Sequence, residues 1–392
     1  MARSALAKLG TSIFSEMTRL ANEKGAVNLS QGFPDFDGPH EILDAAVDAL
    51  RSGQNQYGRS MGLPALVDAI AAHRERHYAL RYDAMTEVCA FAGATEGIAA
   101  AMLGLLEPGD DVIVMEPFYD GYPAAIAMAS ANARVVTLRF PDFSVSEAAL
   151  EAAHTAKTRM IVVNSPHNPS GKVFGVDELD VIARFCVKHD LIALTDEVYE
   201  HLTYDDAKHV PLATRQGMRE RTVTLSSTGK TFSLTGWKVG WCIGPRALVA
   251  AVQSAHQFLT FCASTPLHAA MAKAIGTLAA PSSHYLGELK RDYTKRRDYL
   301  VEVLRDCGFD VRAPKGAYFV LAGIRTVTDE DDVTFAKRLI DEAGVAAIPP
   351  SAFYAANVDE GRRLLRFAFC KRTETLERAG DRLRAWRRDR RA

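Results

Sequence analysis

The chain has 392 residues, 48% of them apolar and 24% charged, with a formal net charge of −1. That length exceeds what one core usually serves, so two domains are expected, and the near-neutral charge gives no reason to expect a nucleic acid or an anionic membrane as partner. No run is long and apolar enough to span a bilayer, and residues 1–8 lack the apolar centre of a signal peptide. The six cysteines, at 89, 186, 242, 262, 307 and 370, include no CxxC pair. The expectation is a cytoplasmic protein with free thiols, no disulfide framework and no metal site.

Residues up to about 28 read as an arm. Ile13, Phe14, Met17 and Leu20 recur at near-helical spacing, which predicts a short amphipathic helix docked on the body or on another subunit. Between 28 and 36, Gly32 and Pro34 forbid a continuing helix, so the segment reads as an extended turn. Residues 54–58 form a polar loop with Tyr57 as its one exposed aromatic, and Pro64 opens a helix to about residue 78.

A βα rhythm follows. Strands are predicted at 87–92, 111–115, 134–138, 160–163, 191–195 and 222–225, with a helix at about 176–188 between two of them. Several are continuous aliphatic runs, the pattern of strands buried on both faces. The turn 93–96 enters a helix, where free N–H groups and the dipole make an anion site. Ligands of open α/β sheets sit beyond the carboxyl ends of the strands. Gly93, Tyr119, Asn168, Asp196 and Lys230 all fall at such ends.

After Pro281 the texture changes. A charged helix is predicted at 284–306, a strand at 317–321, a helix at 331–343, a strand at 364–369 and a basic helix at 373–391 that presents a solvated face. The fold class is α/β: a mostly parallel mixed sheet in a large domain (39–280) and a smaller α+β domain (281–392), to which the segment 1–38 adds.

The stretch from Ser226 to Gly240 holds the densest chemistry, with hydroxyls, glycines and two lysines. Hydroxyl and ammonium groups suit a phosphate. Gly229-Lys230-Thr231 ends like a P-loop, but that motif needs a glycine where Thr224 stands. The competing reading is a lysine crowded by Lys238 and by a cationic ligand, which loses its proton and attacks an aldehyde.

Asn168-Pro169-Ser170-Gly171, Thr195-Asp196-Glu197-Val198-Tyr199, Ser227-x-x-Lys230 and Gly236-Trp237-Lys238-Val239-Gly240 resemble the motifs of class I aminotransferases. These are pyridoxal 5′-phosphate (PLP) enzymes of fold type I. Gln31-Gly32-Phe33-Pro34-Asp35-Phe36, Asn55-Gln56-Tyr57 and Glu116-Pro117-Phe118-Tyr119 are similar to the kynurenine, glutamine and methionine branch. The resemblance covers essentially the whole chain.

It implies roles residue by residue. Lys230 would be linked to the cofactor aldehyde and would move the substrate proton. Asp196 would pair with the pyridine nitrogen; Glu197 is equally suitable by composition, and the family pattern alone selects Asp196. Tyr199 and Asn168 would contact the cofactor's phenolic oxygen, Asn164 would line its site, and Tyr119 would stack on its ring. Ala94 and Thr95 N–H groups, Ser227 and Lys238 would hold the phosphate, joined by Tyr57 from the neighbouring subunit of a homodimer. Arg366 and Gly32 would receive the substrate α-carboxylate, together with Asn168. Phe14 and Phe33, with Tyr119, Phe258 and Phe261, would line an aromatic side-chain pocket.

The expected function is ping-pong transamination between a neutral L-amino acid (methionine, glutamine, aromatic or kynurenine) and a 2-oxo acid. Two alternatives keep the cofactor: a carbon–sulfur β-lyase on cysteine conjugates or cystathionine, and a PLP-sensing regulator. The regulator requires an added DNA-binding domain, for which a pattern starting within the first dozen residues leaves no room.

Overall fold

The computed structural model describes residues 13–390. The first dozen residues of the arm and the last residue expected in the terminal helix lie outside them. The described residues form twelve strands: β1 (Val27–Asn28), β2 (Val88–Phe91), β3 (Asp111–Glu116), β4 (Asn132–Thr137), β5 (Thr158–Asn164), β6 (Ile192–Asp196), β7 (Thr222–Ser227), β8 (Gly240–Ile243), β9 (Asp310–Val311), β10 (Phe319–Gly323), β11 (Val345–Ala346) and β12 (Leu364–Ala368).

Seven of them make the central sheet, in the order β2-β8-β7-β6-β5-β3-β4. β8 is antiparallel to both neighbours and every other pair along the β7–β4 side is parallel, so the sheet is mixed but mostly parallel. β2, β3, β7 and β8 are buried along their whole length, β7 with four hydroxyl residues among its six, whereas the edge strand β4 exposes Asn132, Ala133 and Arg134.

The topology decides where the chemistry falls. β3, β5, β6, β7 and β2 point one way, so Glu116, Asn164, Asp196, Ser227 and Phe91 end at one rim. Because β8 runs backwards, its starting end lies at the same rim and brings Lys238 there. Register pairs Asn164 with Asp196 and Asp196 with Leu225, so these strand ends are level.

The rest of the chain builds two smaller sheets, β12-β10-β9 and β1-β11. The parallel β1–β11 pair joins Val27 to Val345 and Asn28 to Ala346, which anchors the early segment against the C-terminal part. One apolar cluster holds Met17, Leu29, Tyr293, Tyr318, Phe335, Phe369 and Trp386 together. The amphipathic helix of the arm, Ile13–Glu23, buries Met17 and Ala21 in this cluster.

Two expectations are corrected here. The terminal helix, Thr373–Asp389, is not simply a solvated face: Leu376, Ala379, Leu383 and Trp386, spaced three and four apart, are buried. Its basic residues occupy the other side and mask that stripe in the composition. The strand expected at 317–321 starts two residues later, because Ala317 takes a left-handed conformation (φ +56°) that a strand cannot continue through. Lys230 itself stands in a single helical turn, Thr228–Thr231.

Candidate active site

A cavity of about 270 Å³ opens at the rim where the strands end. Gly32, Phe33, Ala94, Thr95, Tyr119, Asn164, Asn168, Asp196, Tyr199, Ser227, Lys230 and Lys238 all line it. Residues separated by some 200 positions in the chain thus meet in one place.

Lys230 is held there by the turn that follows β7. Its ammonium pKa falls to about 8: burial disfavours the charge, and Lys238 and Arg366 add repulsion that Cys370 and Asp196 only partly offset. The neutral amine, rare for an ordinary lysine near neutral pH, becomes accessible, which is what a nucleophile or proton carrier needs. Its Nζ lies 5.7 Å from the ring centre of Tyr199 and 5.5 Å from that of Tyr318.

Asp196 ends β6 and is buried. Burial raises its pKa, while a hydrogen bond from the Tyr122 hydroxyl (2.7 Å) and one from the Val198 N–H (3.3 Å) lower it. The neighbouring Glu197 points to the other side. It accepts from Arg74 Nη2 at 3.0 Å and meets His209 Nε2 at 2.9 Å. Arg74 also donates to Glu200 at 3.1 Å, and Glu200 accepts from Ser226 at 2.6 Å, so a buried ionic network underlies the rim. His73 Nε2, His201 Nε2 and Glu200 lie together in it, but the two imidazoles bond each other at 2.8 Å and both Glu200 oxygens already accept hydrogen bonds.

Across the cavity, the helix Ala94–Leu105 starts without any side-chain cap, its Ala94 and Thr95 ends facing the space. Gly93 (φ +86°) lets Lys238 lie over this start; a Cβ there would come within 2.9 Å of Lys238 Cε. A Cβ on Gly240 would meet the Ala94 nitrogen at 2.6 Å. Lys238 itself takes a left-handed conformation (φ +53°) and makes no ion pair among the described residues. An uncapped helix start, a free ammonium and the Ser227 hydroxyl form a cradle for a phosphate dianion. With Tyr119 on one wall, Asp196 at the back and Lys230 in reach, the donor set fits PLP.

Arg366 lies on β12 and is not among the cavity-lining residues. It reaches the cavity through Asn168, whose Oδ1 accepts from Nη1 at 3.1 Å; Nη2 donates to the Ser30 carbonyl at 3.0 Å. Phe14, Phe319 and Phe353 rings surround the guanidinium at 4.1 to 5.1 Å. Its Nε is buried with no partner, and burial lowers its pKa to about 10. A buried cation that makes no ion pair among the described residues is costly, and although Asp120 lies within electrostatic reach an incoming carboxylate would relieve it. Asn164 uses its amide on the chain itself: it donates to the Asp196 carbonyl (2.8 Å) and accepts from the Asn168 N–H (2.7 Å).

Beyond Arg366 and Phe14, which sit behind it, three further expected residues do not line this cavity. Tyr57 is 85% exposed and packs edge-on against Phe261, 5.4 Å between centroids. Phe258 and Phe261 are 85% and 46% exposed, so they do not wall the pocket of their own chain. Helix Arg246–Leu259 turns Val249, Val252 and His256 inward and leaves Phe258 on the opposite face. Conversely, Tyr122 and Tyr318 were not singled out from the sequence. Tyr122 is the third residue after Tyr119, in a helix otherwise made of small and aliphatic residues, and that isolation of a phenol was the available signal.

The sequence matches the family described as aminotransferase class I and II over residues 24–383. It is 45% identical to a probable N-succinyldiaminopimelate aminotransferase of Mycobacterium tuberculosis, over 98% of each chain, and 39% identical to the methionine aminotransferase of Escherichia coli, over 97% of each. The solved structure of N-succinyldiaminopimelate aminotransferase from M. tuberculosis superimposes with a TM-score of 0.94, covering 98% of this chain and 100% of that one. The chain belongs to the class I and II aminotransferases and is a PLP-dependent enzyme.

Proposed function

We propose that this enzyme moves the amino group of a neutral, bulky L-amino acid (methionine, glutamine, an aromatic residue or kynurenine) to a 2-oxo acid in a ping-pong cycle. The observation that carries the reading is Arg366: a buried guanidinium with an unpartnered Nε, joined to the cavity by Asn168. It awaits the α-carboxylate common to every such donor and acceptor. No arginine lines the cavity among the described residues, which favours a neutral side chain over a second carboxylate.

When bound, PLP supplies an aldehyde that takes the amino group and a ring that accepts the electrons of the broken Cα–H bond. In this reading Lys230 would hold the aldehyde and would carry the proton from the substrate α-carbon. Its lowered pKa suits both tasks. Asp196, held by Tyr122, keeps the pyridine nitrogen protonated. Tyr199 and Asn168 serve the phenolic oxygen, and Tyr119 stacks on the ring. Ala94, Thr95, Ser227 and Lys238 bind the phosphate, joined by Tyr57 of a second copy. Gly32 and Asn168 assist Arg366, while Phe14 and Phe33 meet the substrate side chain, and the site lies between a large domain (39–280) and a smaller one (1–38 with 281–392). The free cysteines accord with a cytoplasmic homodimer.

N-succinyldiaminopimelate is the second reading, favoured by the likeness to the M. tuberculosis enzyme named for it. Borohydride reduction followed by peptide mapping tests the centre: the pyridoxyl tag belongs on Lys230, and Lys230→Ala should abolish it. A panel of amino donors against several oxo acids tests the substrate. Release of pyruvate and ammonia from cysteine conjugates without an oxo acid would replace transamination by β-elimination.

A further inference from the structure

Glu116 closes β3, just before Tyr119, and is fully buried without lining the cavity. Its Oε2 accepts from the Ala355 N–H at 2.6 Å and the Ala356 N–H at 2.9 Å. Its Oε1 accepts from the Asn357 N–H at 2.9 Å and the Thr137 hydroxyl at 2.7 Å. Three successive backbone N–H groups thus converge on one carboxylate, an anion-binding concavity filled by the chain itself. A carboxylate offers only acceptors, so all four donors are satisfied at once. The three N–H groups belong to the segment between β11 and β12. The bonds therefore tie the central sheet to the sheet that carries Arg366.

That segment runs along Arg366. Ile348 exchanges both backbone hydrogen bonds with Arg366, at 2.9 and 3.0 Å. Phe353 ends the turn Pro350–Phe353 and is buried. Its ring centre lies 5.1 Å from the guanidinium carbon of Arg366 and 5.7 Å from the Phe14 ring. Its carbonyl accepts from the Phe118 N–H at 3.0 Å. The end of β3 thus grips the segment twice, at Phe353 through Phe118 and just beyond it through Glu116. While both grips hold, the ring cannot draw back from the guanidinium.

We propose that Glu116 is a positioning residue for substrate binding: by gathering the 355–357 N–H groups it presses Phe353 on Arg366 and fixes the guanidinium for the α-carboxylate. This rests on the reading above that Arg366 receives that carboxylate. Glu116→Gln keeps the shape and leaves one acceptor oxygen. Whichever way the amide turns, its NH2 group faces the Ala355 and Ala356 N–H groups or that of Asn357, and a donor cannot bond a donor. The segment should loosen while the fold persists.

The test is steady-state kinetics of the holoenzyme with an amino donor and an oxo acid, alongside PLP dissociation constants. Glu116→Gln should raise KM for both substrates about 3–30-fold, part of what a hydrogen bond to a charged group is worth. The kcat should stay nearly unchanged, because binding alone is lost. PLP affinity should also stay unchanged; a general loosening of the β3 end would move Tyr119 and weaken it. In an Arg366→Ala background the KM effect of Glu116→Gln should disappear. Phe353→Leu, which thins the wall without touching the carboxylate, should raise the same KM, and it carries the test alone if Glu116→Gln does not fold. An unchanged KM in either variant, a matching loss of PLP affinity, or a rise that persists without Arg366 overturns the proposal. If Arg366→Ala itself leaves KM unmoved, the carboxylate assignment is wrong and this inference fails with it; if Arg366→Ala raises KM and Glu116→Gln does not, this inference fails alone.

Discussion

The hydroxyl of Tyr122 donates to the Asp196 carboxylate at 2.7 Å, and both side chains are buried. Burial pushes the Asp196 carboxyl up, and the Tyr122 bond opposes that push. Tyr122→Phe keeps the ring and removes the bond. Asp196 should then bind a proton at higher pH, and a neutral acid cannot hold a pyridinium. A hydrogen bond to a buried charge is worth about 1.5–3 kcal/mol. PLP affinity should fall about tenfold or more near pH ~6 and less near pH ~8. Dissociation constants measured at both values check this; equal losses would mean that Tyr122 acts by packing alone.

Arg366 makes two hydrogen bonds within the protein and leaves Nε free for a ligand. Arg366→Ala should raise KM for amino acid and oxo acid by about 10–100-fold, the value of one or two charge-assisted bonds. Arg366→Lys should recover little, because an ammonium lacks the planar fork. The cofactor should stay bound in both, as judged by its visible absorbance. An unchanged KM would move the carboxylate site elsewhere.

Strand ends and motif residues were legible in the sequence for physical reasons. The runs that became β3, β5 and β6 are aliphatic because both faces are covered, and each stops abruptly at the polar rim. The helix Pro64–Tyr78 was bounded by its proline. What could not be read is what depends on long-range pairing. β8 is four residues, Gly-Trp-Cys-Ile, without alternation, and only its pairing with β2 and β7 defines it. Asp196 and Glu197 are indistinguishable by composition. Arg74, some 120 residues earlier, draws Glu197 to the far side and leaves Asp196 to the cavity.

Tyr57 stands 85% exposed beside Phe261, on a loop tied down by the Thr265 hydroxyl bonded to the Gln56 carbonyl at 2.8 Å. A large aromatic held in place yet unburied fits a surface that another copy covers. If that copy lends Tyr57 to the phosphate, mixing inactive Lys230→Ala with a cofactor-weakened Tyr57→Phe protein should create one hybrid site with both residues intact. Activity of the mixture at limiting PLP should exceed that of either parent, approaching about a quarter of wild type for random dimers. Activity equal to the parental average would count against sharing.

The Arg74 network gives a prediction about stability instead of chemistry. Arg74 pairs with Glu197 at 3.0 Å and Glu200 at 3.1 Å, all nearly or fully excluded from water. Burial alone would raise the Glu200 pKa, but His201, His73 and Arg74 outweigh it and hold the carboxyl well below its usual range. A depressed folded value contributes stability at pH above the unfolded carboxylate value of about 4.3, and loses it as pH falls through the folded one. Arg74→Ala removes the guanidinium that two buried carboxylates share and should cost about 3–5 kcal/mol near neutral pH. Without the guanidinium less opposes burial, so both carboxyls should take up a proton at higher pH than in the wild type. The deficit should therefore shrink as pH falls toward about 5, while the wild type gains nothing from these groups over the same interval. Urea midpoints of both proteins across that range measure the difference. A deficit that does not change with pH would mean that lost packing, not stranded charge, is what the substitution exposes.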